Sequence, residues 1–136
     1  MANLLYPKFK QALLNKEHDL DTDQIKASLI DGADYTYNAA HTTYADATVP
    51  AASKVAVSSA LTSPTIVDGV FDTADFTWSS VTGDQSENII LWNDTPTTPT
   101  ADPLVAFYDT GMTGMPVTPN GGNINVTVHA SGWFAL

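Results

Sequence analysis

Three histidines, thirteen aspartates and two glutamates are the residues of this chain that could do acid–base or metal chemistry, and their spacing decides whether they can. His18, His41 and His129 lie far apart, and none belongs to a His-x-x-x-His or His-Glu-x-x-His pattern, which would place two imidazoles on one helical face for zinc. Each is expected to be an ordinary surface or strand residue. Asp19-Leu-Asp21-Thr-Asp23 opens like a calcium loop, in which alternate carboxylates converge on one ion. The pattern then fails: Gln24 stands where glycine makes the sharp turn, and Ile30 where a bidentate glutamate is needed. The run reads as a solvated acidic link. Asp72 and Asp75 are close enough in sequence to act as a glycosidase pair, but such a pair needs a cleft and one raised pKa, and no pattern marks either.

The remaining nucleophiles fare no better. No serine sits in a Gly-x-Ser-x-Gly elbow, no glycine run matches a phosphate loop, and cysteine is absent, which removes thiol chemistry and any disulfide framework. Trp78, Trp92 and Trp133 with five tyrosines could build a sugar-stacking platform, but Trp78 and Trp92 lie in apolar strand patterns and read as core. No enzyme activity, metal or cofactor is therefore expected.

Charge narrows the partners. Five lysines, no arginine and fifteen acids give a formal charge of −10. Lys8, Lys10 and Lys16, with no acid among residues 1–16, make that stretch +3, whereas residues 55–136 hold eight acids and no lysine. Such a body repels nucleic-acid phosphate, and it lacks the residue best suited to bidentate phosphate or base contacts, so nucleic acid is not an expected partner. A basic arm on an acidic body suits charge-complementary docking, or it is simply a solvated surface helix. Two leucines before Pro7 and Lys8 do not make a signal-peptide apolar region, and no run nears the roughly 18 apolar residues that cross a bilayer. The glycosylation sequons at Asn93 and Asn125 then read as chance matches in a Thr-rich chain.

The elements follow from the hydrophobic pattern. Residues 6–15 form a short helix, because Pro7 suits a first turn and Tyr6, Phe9 and Leu13 recur on one face. Ten residues need something to pack on, either the chain's own body or a partner. Residues 24–30 alternate and end at the Asp31-Gly32 turn, with Tyr35 and Tyr37 continuing as a short pairing strand. Residues 38–53 are Ala- and Thr-rich without period and form a long ordered loop. Strands are expected over 54–61, on both sides of an Asp68-Gly69 hairpin, at 76–78, at 88–92 as a central strand apolar on both faces, and at 104–108 beside it. Three prolines make 93–103 a projecting loop, and the last strands fall at 123–129 and 133–136.

Seven or eight short strands at this spacing predict an all-β chain: a small antiparallel β-sandwich or barrel over residues 18–136, preceded by an amphipathic arm or helix at 1–17. A chain of 136 residues buries roughly 70% of its unfolded surface, enough for one core. Residues 110–136 carry no charged side chain, although exposed edge strands are normally protected by charge. That edge is covered either within the fold or by a neighbouring subunit.

Several stretches together carry a likeness: Leu5-Tyr-Pro-Lys-Phe-Lys-Gln-Ala-Leu-Leu14, residues 23–36 beginning Asp-Gln-Ile-Lys-Ala, residues 68–78 from Asp-Gly-Val-Phe-Asp to Trp78, residues 80–87, and Gly114-Met-Pro-Val-Thr-Pro-Asn-Gly-Gly122. With these the chain resembles a family of small virion structural proteins encoded among the head and tail genes of tailed bacteriophages. The resemblance implies a capsid decoration or cement protein, made in the host cytoplasm and bound to the outer surface of the capsid. Its partners would be the major capsid protein and copies of itself, with a trimer preferred. The residues expected to touch a partner are Leu4, Leu5, Tyr6, Lys8, Phe9, Lys10 and Leu13 of the arm, with Trp133 and Phe134 of the uncharged terminus. On that expectation, deleting residues 1–17 leaves a folded body that no longer binds particles. The competing reading is a head or tail spike, or a fibre-base or receptor-binding module, touching host glycans through the Thr/Pro loop or residues 35–44.

Overall fold

The computed structural model describes residues 3–94, 102–109 and 114–136. Strand β1 (Leu4–Leu5) runs into helix α1 (Pro7–Leu14), followed by β2 (Ile25–Ile30) and, after a 3-10 turn at Ala51–Ser53, β3 (Lys54–Val57). The remaining strands are β4 (Thr65–Val67), β5 (Val70–Asp72), β6 (Phe76–Trp78), β7 (Asn88–Asn93), β8 (Leu104–Tyr108), β9 (Ile124–Val126) and β10 (Phe134–Ala135). They form a five-stranded sheet in the order β1-β8-β7-β2-β3, a three-stranded sheet β10-β5-β4 and a two-stranded ribbon β6-β9. Every pairing is antiparallel. The all-β expectation holds; of its two forms the chain takes the sandwich-like one, with no closed barrel.

The run apolar on both faces is central, as its composition requires: every residue of β7 and β8 is buried. Register sets Ile89 and Leu91 beside Leu29 and Ala27 on one face, and Ile90 and Trp92 beside Ser28 and Lys26 on the other. The two small sheets cover the first face. Trp78 Nε1 donates to the Ala27 carbonyl at 3.2 Å, and Tyr108 packs on Trp133 while its hydroxyl donates to the Trp133 carbonyl at 2.7 Å. Gly132 makes this approach feasible, since a Cβ there would meet the Phe71 carbonyl oxygen at 2.7 Å. The second face is covered by the segment after β2, where Tyr35 and Tyr37 lie on Phe107 and Tyr44 stacks on Trp92.

That cover corrects one expectation. Tyr35 and Tyr37 lie in no strand; their rings are spent on the face of the large sheet, and residues 38–50 form the expected irregular segment around them. Asp68 and Gly69 both take positive φ (51° and 80°), the two-residue hairpin turn their identities call for. Two strands stop short of their sequence pattern because side chains capture the backbone. Ser58 Oγ accepts the Ala27 N–H at 2.9 Å beyond the end of β3, and Asp75 Oδ1 accepts the Val128 N–H at 2.8 Å beyond the end of β9. The expected projecting loop at 93–103 lies mostly outside the described residues; its ends, Asn93 and Pro103, are buried.

The N-terminal arm is built into the body. β1 pairs with the edge of β8, the Tyr6 N–H donates to the Val105 carbonyl at 3.1 Å, and Tyr6 and Tyr35 share a hydroxyl hydrogen bond of 2.8 Å. Phe9, 1% exposed, packs on His18 and Phe134.

Candidate interaction surface

Most residues singled out for a partner are occupied at home. Tyr6, Phe9 and Trp133 are buried, and Leu5, Leu13 and Phe134 pack partly buried against the same core. Trp133 is further fixed by its Nε1–H, which donates to Thr73 Oγ1 at 2.8 Å. Leu4 is half-buried in the short edge strand, and only Lys8 and Lys10 stand fully outward. Spacing identified the apolar face of α1 correctly, but a helix pattern does not say whose surface that face covers.

What α1 offers outward is charge. Pro7 opens it and Asn15 closes it, with Lys16 beyond in a left-handed conformation (φ 63°). Lys8, Lys10 and Lys16 are all exposed. The other two lysines are engaged: Lys26 pairs with Asp94 at 2.8 Å, and Lys54 pairs with Asp46 and donates to the Tyr44 carbonyl, both at 2.7 Å. Among the described residues, the lysines outside an ion pair are therefore gathered on the helix and its C-terminal end. Leu14, on the same outward side, is 85% exposed.

Beside the helix is a pocket of about 170 Å³ whose walls include Phe9, Ala12 and Leu104 with Lys8 and His18 at its polar side. His18 is a second correction, because it is buried rather than at the surface. The Asn93 side-chain nitrogen lies 2.7 Å from Asp23 Oδ2 and 2.9 Å from His18 Nδ1. With one N–H donated to the carboxylate, the other meets Nδ1 as an acceptor, so the imidazole is neutral with its proton on Nε2. Nothing in the histidine spacing reveals this, since Asn93 lies 75 residues along the chain.

Burial lowers the His18 pKa below the ordinary 6.5, with Asp23 and Glu17 opposing part of the shift. The folded imidazole thus binds its proton more weakly than the unfolded one, and stability must be full above about pH 6.5 and fall as pH drops from there toward the folded pKa. The urea midpoint is expected to decline between about pH 7.5 and pH 5.5, and His18→Gln to flatten that slope. A wild-type profile that rises on acidification would show that the ring is held as the cation.

The acidic candidates are structural. Asp23 accepts the Asp19 N–H at 2.9 Å, Asp72 accepts the Thr73 N–H at 2.8 Å and Asp75 holds Val128. Among the described residues no group of three or more His, Cys, Asp or Glu side chains is placed to hold a metal ion, and no helix is long and apolar enough to cross a membrane. Tyr35 and Tyr44 are buried and Tyr37 is half-buried, so the aromatic segment at 35–44 spends its rings on the large sheet. Exposed apolar side chains occur elsewhere: Val57 on β3 (48%), Ile66 and Val67 on β4 (51% and 64%) and Leu136 (69%). β3 and β4 are the outer strands of their sheets. Comparison with known proteins finds no family model that matches the chain and no curated protein similar to it.

Proposed function

We propose that this chain is a virion structural protein of the capsid decoration type, a cement subunit that binds the outer shell on the major capsid protein and stabilises contacts between capsomers. One observation carries the reading: Leu14, Val57, Ile66, Val67 and Leu136 are exposed on a helix face, on two outer strands and at the terminal strand, where a single chain leaves them uncovered. Exposed edge strands invite pairing or packing with another chain. The sequence resemblance names the kind of neighbour. A subunit that binds the assembled shell and not its dissociated parts stabilises the shell by mass action.

The test is addition of the purified protein to shells that lack it, followed by sedimentation, copy counting and thermal disruption. Saturable binding at on the order of hundreds of copies per particle is expected, with disruption moved to higher temperature. A handful of copies at a vertex or tail tip would replace the cement reading with a spike or receptor-binding one, and no binding to any particle would end both.

A further inference from the structure

Two surface patches of this chain are apolar and opposite in charge. The first is the outward side of α1, where Lys10 and Leu14, four residues apart, are neighbours on the helix surface, with exposed Lys16 just past the helix end and Lys8 on the opposite flank. The second is the tip of the β4–β5 hairpin. There Ile66 and Val67 stand exposed, Asp68 takes the turn, and Leu136 lies alongside through its N–H to the Gly69 carbonyl at 3.0 Å. No lysine or arginine occurs after residue 54, so nothing basic in that part of the sequence offsets Asp68.

We infer that the chain self-associates by docking the acidic, apolar hairpin tip of one copy on the basic, apolar face of α1 of another. Charge selects this pairing over the simpler one. Joining β4 to β4 of a second copy would give Asp68 no cation to face, because neither the strand nor its turn carries one. Like charges across an interface are penalised and unlike ones steer and register the encounter. Setting the tip on the helix instead covers Leu14 and Val67, two of the most exposed large apolar side chains, in the same contact. The inference does not depend on the shell reading, because it concerns the free protein.

Light scattering and sedimentation of the full chain at low and high salt test it. The wild type is expected to associate at low salt and to dissociate as salt screens the contact. Two variants reverse the patches: Lys10→Glu with Lys16→Glu on the helix and its end, and Val67→Lys with Asp68→Asn at the tip, where asparagine keeps the turn conformation. All four positions are exposed, and circular dichroism checks that both variants fold. Each alone is expected to weaken association by at least about tenfold, and an equimolar mixture to recover it, since the new glutamates then face the new lysine. Leu14→Ser is expected to weaken association without altering the fold. A wild type that stays monomeric at low salt, a reversed variant that associates as the wild type does, or a mixture that stays monomeric would each overturn the inference. Failure to bind shells would bear on the proposed function and leave this result untouched.

Discussion

Deleting residues 1–14 is expected to unfold the body and not to shed a dispensable arm. The segment covers the edge of β8 through β1, and its Asn3 side chain accepts the Asp109 N–H at 2.9 Å. Tyr6 and Phe9 are 0% and 1% exposed, so their loss opens the core between the large sheet and β10. Truncating one buried phenylalanine typically costs about 3–5 kcal/mol, and whole domains hold only about 5–15 kcal/mol in reserve. Removing both rings together with the strand pairing is a loss of the same size as that whole reserve. Phe9→Ala alone is expected to lower stability by about 3–5 kcal/mol, read as a shift of the urea midpoint at unchanged slope. A truncated chain with a cooperative melt and dispersed amide signals would show instead that the arm is an accessory, and would restore it as a free docking element.

The contrast marks where sequence reasoning stops. Hairpin chemistry at Asp68-Gly69, the doubly apolar run of β7 and the uncharged partner strand β8 were legible, because turn geometry and two-residue alternation are local properties. The destination of an apolar face is not local. Tyr6, Phe9 and Leu13 read equally well as a docking stripe and as a core stripe, and only the placement of Tyr35, His18 and Phe134 around the arm decides between them. His18 was missed for the same reason: its environment is assembled by Asn93, which reads in sequence as the start of a projecting loop. Tyr35 and Tyr37 read as a short pairing strand and Tyr44 as part of a stretch without period, whereas all three cover a sheet face from an irregular segment, where side-chain direction follows no period. The outward lysines of α1 were legible as charge, and Leu14 escaped notice because it continues an apolar run while facing solvent.

The stack of Trp92 on Tyr44 fastens that irregular cover, and Trp92→Ala is expected to be among the most damaging single substitutions. The rings lie 4.3 Å apart and 8° from parallel. Lys26 sits 5.4 Å from the Trp92 ring centroid and Lys54 4.0 Å from that of Tyr44, so each ring of the stack carries its own cation. The Trp92 Nε1–H donates to Ser28 Oγ at 2.9 Å, which locks the indole to β2. Alanine removes the ring, the stack and that hydrogen bond's donor, for a loss of about 3–5 kcal/mol. Amides of residues 38–50 should then exchange faster than the rest of the chain. Tyr44→Phe separates ring from hydroxyl. That hydroxyl is buried near Ser28 without a well-formed hydrogen bond, and burial raises its pKa to about 12. Removing a poorly satisfied buried hydroxyl should change stability by no more than about 1 kcal/mol, in the stabilising direction if any. A Trp92→Ala midpoint within about 1 kcal/mol of wild type would mean that the segment is held by Tyr35 and Tyr37 on Phe107, and the exchange protection of residues 38–50 would then follow those rings instead.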